Sequence, residues 1–389
     1  MKKKILIVNK SFELGGIQHA LVNMLKALQL INNNIQIDLL IFNNDDVCKN
    51  QIPVDIKILK PSLLVKTMGM SFSRVLETKN IIQIIFKILS TAWSKVFGNS
   101  LPISIAFLFQ KKLKEHYDYA VAYHHETNKK TMVSGFVRFI LKKCDSDVKM
   151  GWIHSDFVAT GLGTKQNRKI YSQLDKIICV SKATKTSFLS LFPELESKCD
   201  YCYNYLPVDE IRKKSLSESI SFGCDEGVVF FSACRFVAEK GIERTIMAML
   251  PLWKEGLKFK WYIAGNGIEY AKIEHLIHNY NIHDKVILLG YKENPYPYMK
   301  AADWFLLSSY HETFSMVAAE SMIVGTPVLA TDLPVVRELI DENSGYICHN
   351  SVEGIKDAIK DIVSQKKSIK VQLRENLVNS KGQFERIFQ

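Results

Sequence analysis

Two carboxylates define the chemistry open to this chain. Glu312 and Glu320 stand with seven residues between them in His311-Glu312-Thr313-Phe314-Ser315-Met316-Val317-Ala318-Ala319-Glu320. A strand-like run, Trp304 to Ser309, leads into this stretch, and a helical pattern from about Phe314 to Val324 leads out of it. One carboxylate therefore belongs to a strand-to-helix loop, and the other lies about two turns on, inside the helix. Backbone N–H groups at the helix start, around Phe314, Ser315 and Met316, lie between them and suit an anionic group. Carboxylates accept hydrogen bonds from sugar hydroxyls, while a helix start takes a phosphate. That combination suits a sugar nucleotide.

A cation pair supports the same chemistry. The strand Val228–Ala233 runs into Cys234-Arg235-Phe236-Val237-Ala238-Glu239-Lys240-Gly241. Arg235 offers phosphate oxygens a planar fork and Lys240 a mobile point charge, so both suit a diphosphate. A third motif, Glu13-Leu14-Gly15-Gly16-Ile17-Gln18-His19, joins the first strand to a helix. Its glycines permit close approach to a ligand, but it is neither a dinucleotide fingerprint nor a Walker loop. His154, in Trp152-Ile153-His154-Ser155-Asp156, ends another strand. A lone histidine is usually structural; at the ligand end of a sheet it becomes a candidate contact to a sugar hydroxyl or an acceptor. Gly265-Asn266-Gly267 and Gly290-Tyr291-Lys292 are strand-end turns, and the second can pair backbone groups with a nucleobase.

The elements that must position these residues come in two alternating sets. The first has strand candidates Lys4–Val8, Ile35–Leu40, Ile56–Leu59, Tyr119–Tyr123, Met150–His154 and Lys176–Ser181. The second has Val228–Ala233, Lys260–Ala264, Val286–Leu289, Trp304–Ser309, Pro327–Thr331 and Gly345–Cys348, with helices starting near Gly241, Glu269, Tyr296, Phe314 and Pro334. Their nearly continuous β-branched runs fit parallel strands buried on both faces. The expectation is an α/β chain of two doubly wound domains, 1–207 and 208–370, with a linker near Pro207–Gly223 and a terminal helix over 371–389. Ligands of such sheets bind beyond the carboxyl ends of the strands, which places the expected site between the domains.

Composition narrows the setting. A chain of 389 residues with 47% hydrophobic and 23% charged residues reads as globular and large enough for two cores. Its net charge of +11 favours a polyanionic or phosphorylated partner. The 8 cysteines include a lone C-x-x-C, Cys199 and Cys202, with no second pair to make a zinc site. The apolar run after Met1 is too short for a signal peptide, and no window suits a membrane span.

Residues 60–115 stand apart. They carry Lys66, Arg74, Lys79, Lys87, Lys95, Lys111, Lys112 and Lys114 against only Glu77 and Glu115. Ile82, Ile85, Phe86, Leu89, Trp93, Val96 and Phe97 fall on one helical stripe, with Lys87 and Lys95 expected opposite. Two readings compete: a membrane-surface helix using Lys87, Trp93 and Lys95 on anionic lipid, or a core-facing helix with a solvated basic face.

Together these motifs resemble a retaining glycosyltransferase of family 4, with the GT-B fold of two Rossmann-like domains facing across a cleft. The resemblance is strongest from about Gly227 to Gly345 and rests on Glu312 to Glu320, on Arg235 and Lys240, on the turn Gly265-Asn266-Gly267, and on Glu320-Ser321-Met322-Ile323-Val324-Gly325-Thr326-Pro327. Gly15, Gly16 and His154 match the first domain's glycine loop and histidine. The family's first glutamate usually leads Gly-Phe-Gly, whereas Thr313-Phe314-Ser315 follows Glu312 here; Gln18 stands where Glu is common.

The resemblance implies transfer of a sugar, with retention, from a nucleotide-diphosphate donor to a lipid-linked or oligosaccharide acceptor. Arg235, Lys240, Gly16 and the helix start at Phe314, Ser315 and Met316 would hold the diphosphate without a protein-bound metal. Glu320, Tyr291 and Lys292 would serve the nucleoside. Glu312 and His154 would be catalytic, with His154 and Gly15 on the sugar or acceptor side. The donor would be a UDP-sugar, the setting the cytoplasmic face of a membrane, and the product a surface polysaccharide or glycolipid. The alternatives are a sugar-nucleotide epimerase of the same fold, expected to add acid/base residues, and a non-catalytic partner, expected to lose the cations or glutamates. No nucleic-acid module is present, so nucleic acid is not an expected partner.

Overall fold

The computed structural model describes residues 3–11, 15–31, 35–43, 52, 53, 55–222, 227–378 and 380–388. Glu13 and Leu14 of the glycine loop, Gly223 at the end of the expected linker and the terminal Gln389 lie outside these. The chain forms two compact units, Met1–Tyr205 with Ser380–Gln389, and Leu206–Asn379. The terminal segment is thus divided. The helix Ser380–Phe388 belongs to the first unit, where Phe388 packs on Tyr119 and Phe384 stacks on Trp152. Residues 371–374 are not helical.

The first unit holds a parallel sheet of β1 (Lys3–Ser11), β2 (Ile35–Asn43), β3 (Lys57–Leu59), β4 (His116–Ala122), β5 (Asp145–Ile153), β6 (Lys176–Cys179) and β7 (Cys199–Tyr201), in the order β3-β2-β1-β4-β5-β6-β7. The reversal of order beside β1 is the switch of a doubly wound sheet. Sequence patterning signals every strand but β7, whose three residues are too few to show a period. Cys199 of the C-x-x-C motif lies in that edge strand and Cys202 just after it, both buried as free thiols.

The second unit repeats the design with β8 (Val228–Ala233), β9 (Phe259–Ala264), β10 (Val286–Gly290), β11 (Trp304–Leu307), β12 (Val328–Thr331) and β13 (Gly345–Cys348), all parallel, in the order β10-β9-β8-β11-β12-β13. Phe230, Trp261, Ile263, Trp304, Leu306 and Leu329 point into one core with the helix Ile242–Lys254. Central strands buried on both faces leave only their ends for polar chemistry.

Between β3 and β4 the first unit inserts helices α1 (Leu63–Gly69), α2 (Phe72–Glu77), α3 (Ile81–Phe97) and α4 (Ser100–Leu108). Asn80 starts α3 by accepting a bond from the Gln83 amide. The orientation of α3 corrects the sequence expectation. Lys87 is not on a solvated face: it is 5% exposed, and its Nζ donates to the carbonyls of Met70 at 2.6 Å and Thr67 at 3.4 Å. Gln83, Ser90 and Ser94 are buried with it, while the apolar stripe, apart from the half-buried Phe86 packed on the core, faces outward with Lys95. The physical reason is that carbonyls left at the end of α1 need donors, and the lysine stem is long enough to bring one.

Candidate functional site

The cations and carboxylates singled out by sequence lie at the carboxyl edge of the second sheet, in the loops and helices that follow its strands. After β8 the chain passes Arg235, makes a short 3-10 turn over Ala238–Lys240 and enters the helix Ile242–Lys254 through Gly241. Gly241 adopts φ 68°, and a Cβ there would lie 2.2 Å from the Ser308 carbonyl oxygen. Only glycine brings the two loops this close. The turn after β9 is packed as tightly: a Cβ on Gly265, at φ 145°, would meet the Cys234 carbonyl oxygen at 1.8 Å. The Gly265 amide donates to Gly290 and the Phe236 amide to Asn266, tying the loops after β8, β9 and β10 together.

Across this edge Lys240 meets Glu312, with Nζ 2.6 Å from Oε1. Ser309 Oγ donates to the same oxygen at 2.7 Å. Both bonds fall on Oε1, so Oε2 keeps its acceptor capacity for a hydroxyl. An ammonium has three donors, so Lys240 can serve a phosphate while holding Glu312. Arg235 is exposed at the end of β8 and forms no ion pair with a carboxylate among the described residues. The loop carrying Glu312 is itself braced. Arg244 donates to the carbonyls of Ser308 and Ser309 and lies 3.7 Å from the Tyr310 ring centre, while Thr331 Oγ1 donates to Ser309.

The helix that follows runs from Met316 to Ile323, two residues later than the sequence suggested. Its N-cap, Ser315, is buried in the left-handed region at φ 62°, and its Oγ has no hydrogen-bond partner. Ser315 stands where the family pattern usually has its second glycine, and this backbone angle is one glycine adopts without strain. The first amides of the helix, at Met316, Val317 and Ala318, have no intrahelical acceptor and remain suited to an anion. Phe314 is buried beneath them.

Glu320 lies in that helix, 8% exposed, and accepts a 3.3 Å bond from Tyr296. Burial pushes its carboxyl up to about 7, against the lowering pull of the Tyr296 bond and the Lys214 charge. A pair of ribose hydroxyls would supply the donors that an ionised Glu320 lacks. Tyr291 is exposed beyond β10, and Lys292 lies 5.3 Å from the Tyr298 ring centre.

The other site residues belong to the first unit. Gly16 opens the helix Gly16–Ile31, and Gly15 precedes it. A Cβ on Gly16 would meet nothing within 4 Å, so packing does not demand that glycine. His154 follows β5, buried, with its ring 4.5 Å from that of Tyr123. Burial, and then the neighbouring His124, push its pKa down to about 3, which leaves the ring neutral at ordinary pH.

Sequence reasoning missed the supports: Ser309, Arg244 and Tyr296. The polar pair Ser308-Ser309 closing an apolar strand was the available signal for the first. It also missed Glu126, fully buried after β4, which accepts from Arg138, Ser134 and the amides of Gly135, Val137 and Arg138. Burial alone would raise its pKa, but these partners hold it below the usual range. It anchors the start of the helix Phe136–Lys143. Among the described residues no group of three His, Cys, Asp or Glu side chains could hold a metal.

Comparison with known proteins now bears on this geometry. Residues 218–381 match the family of glycosyl transferases group 1. That match covers most of the second unit and the carboxylate and cation motifs within it. Over 199 residues the chain is 31% identical to the N-acetylgalactosamine-N,N'-diacetylbacillosaminyl-diphospho-undecaprenol 4-alpha-N-acetylgalactosaminyltransferase of Campylobacter jejuni, spanning 49% of this chain and 53% of that one. Over 175 residues it is 27% identical to the Escherichia coli O-antigen biosynthesis glycosyltransferase WclY, spanning 44% and 48%. The chain thus spans about half the length of the curated relatives it matches. Its fold is that of Anabaena HepE, solved in complex with UDP and glucose, with a TM-score of 0.64 at 15% identity over 99% of both chains. The architecture is GT-B, with two Rossmann-like units.

Proposed function

We propose that this chain is a retaining glycosyltransferase that moves a sugar from a nucleotide-diphosphate donor, a UDP-sugar, to a lipid-linked or glycan acceptor in the synthesis of a surface polysaccharide or glycolipid. The observation that carries the reading is the contact of Lys240 with Glu312 at the carboxyl edge of β8 and β11, with Arg235 earlier in the loop that carries Lys240 and Glu320 about one turn into the adjoining helix. One loop thus offers cations for a diphosphate, and the next offers an acceptor for a sugar hydroxyl.

The difficulty in such a transfer is the charge that develops on the leaving group. Arg235, Lys240 and the amides opening the helix Met316–Ile323 would stabilise the departing diphosphate with preorganised charge and dipoles. Glu312, its Oε1 pinned by Lys240 and Ser309, would orient the donor sugar through Oε2. Glu320 would bind the ribose and Tyr291 with Lys292 the base. Neutral His154 would contact a hydroxyl on the sugar or acceptor side, with Gly15 and Gly16 near the transferred group. Transfer would proceed in the cytoplasm, with no resident metal. The complexes of HepE with UDP and glucose support the choice of donor, and the names of the O-antigen and undecaprenol-linked relatives support the choice of acceptor.

The test is thermal stabilisation by UDP and a panel of UDP-sugars, followed by a transfer assay with the best binder. UDP should raise the melting temperature, because it binds the native state alone. Absence of a shift with any nucleoside diphosphate at saturating concentration would overturn the reading.

A further inference from the structure

The insertion between β3 and β4 presents a surface that the transfer reading does not use. In α3 the buried positions Gln83, Lys87, Ser90 and Ser94 recur at steps of four, three and four, the stripe by which a helix normally faces its core. Here that stripe is polar. Gln83 Nε2 donates to Thr67 Oγ1 at 2.9 Å, Lys87 donates to Met70, and Ser94 Oγ lies 3.2 Å from Met132 Sδ. The opposite face carries Ile81, Ile82, Ile85, Leu89, Val96 and Phe97, all exposed, with Val96 at 73% and Phe97 at 71%. Leu108, the last residue of α4, and Phe109 after it are exposed too. An inside-out helix locked by hydrogen bonds is a built orientation, since free rotation would bury this apolar face.

The charge around this face selects its occupant. Lys79, Lys95, Lys111 and Lys112 of the same insertion are all exposed. Beside α4 lies an open pocket of about 370 Å³ lined by Ser104, Phe107, Leu108, Lys142 and Lys143. Of the two acidic residues in the insertion, Glu115 is already paired with Lys4. A second copy of this face would bring like charges together, whereas an anionic lipid surface answers both the aliphatic face and the cations of the insertion. Among the described residues no helix is long and apolar enough to cross a membrane, so the contact is in the plane of the interface.

We infer that α3 and α4 form an in-plane anchor that docks the first unit on an anionic bilayer, with Lys87 locking the anchor from inside. The inference stands on the exposed face and the insertion's basic residues, independently of the transfer reading. Trp93 offers a specific probe, because it is exposed while Trp152, Trp253, Trp261 and Trp304 are buried. The full chain is mixed with phosphatidylcholine vesicles, with and without phosphatidylglycerol. Phosphatidylglycerol vesicles should sediment the protein and shift its fluorescence to the blue, and the shift should vanish in Trp93→Phe. The triple variant Ile82→Gln, Leu89→Gln, Val96→Gln should bind about 100-fold more weakly. Lys142→Glu with Lys143→Glu should bind about 10-fold more weakly. Both variants should keep the wild-type melting temperature and its rise with UDP. Absence of vesicle binding by the wild type, or unchanged binding by the triple variant, would overturn the anchor; so would a dimer that the triple variant splits without affecting vesicle binding. Vesicle binding without UDP stabilisation would instead leave the anchor intact and sink the transfer reading.

Discussion

Lys240 and Lys87 are both held by oxygens 2.6 Å away, and they sit in opposite circumstances. Lys240, at the carboxyl edge of the second sheet, meets the Glu312 carboxylate and stays partly open to solvent. Lys87, inside the insertion of the first unit, meets only carbonyls, and burial pushes its pKa down to about 8. The first arrangement keeps a charge available for a ligand. The second uses a charge to tie one helix to the end of another. Lysine at a given position therefore says little; what its ammonium touches decides whether it serves chemistry or the fold.

The contrast is open to direct attack. Its strongest test is loss of the site pair: Lys240→Ala or Glu312→Gln should cut the transfer rate about 100-fold or more, with an unchanged circular dichroism spectrum. Transfer at the wild-type rate in either variant would break the site half of the comparison. Next comes Glu320, which extends it to a buried acid. Its pKa is about 7 in the fold against an ordinary 4.5, so the native state binds more protons than the unfolded one between those values. Stability at this site therefore falls as pH rises from about 4.5 to 7 and stays low above that range. Glu320→Gln should raise stability at pH 8 by about 3 kcal/mol while weakening UDP binding; urea melts at pH 5 and 8 would show whether the gain is confined to the higher pH. UDP affinity of the wild type should likewise fall as pH drops below about 7, where Glu320 takes up a proton.

The fold half is tested by Lys87→Ala. Removing the donor from the Met70 and Thr67 carbonyls should cost about 2 kcal/mol in urea unfolding and leave stabilisation by UDP as it was. A variant that folds normally but no longer responds to UDP would collapse the distinction between the two lysines. The smallest effect belongs to Ser315→Gly, which removes a side chain from a left-handed backbone and an unpartnered hydroxyl from the interior. A gain of about 1 kcal/mol is expected, read as a rise of a few degrees in melting temperature.

The candidate site was legible because it is local. Glu312 and Glu320 are ordered by one strand, one loop and one helix, and Arg235 and Lys240 by the end of another strand, so spacing along the chain predicts placement within each element. The supports were not legible. Arg244 reaches Ser308 and Ser309 from a helix far away in sequence, and Tyr296 reaches Glu320 from the start of another helix, Tyr296–Ala301. The turn Gly265-Asn266-Gly267 looked like punctuation, and the reason for its first glycine, the Cys234 carbonyl against it, belongs to a neighbouring strand.

What the sequence determined by itself is periodicity and local chemistry: two sets of buried parallel strands, the glutamates flanking a helix start, the cations at a strand end, and a helix with one apolar stripe. These follow from residue type and spacing, because strand and helix repeats fix which side chains share a face. The tertiary structure alone decided which face of α3 turns inward. Periodicity names a stripe, but carbonyls at the end of α1 and the Thr67 hydroxyl select the polar one. It also decided that Glu312 and Lys240 share a contact and that Glu320 is buried deeply enough to hold its proton near neutrality. Those outcomes depend on distances between elements remote in sequence, and desolvation depends on everything packed around a group.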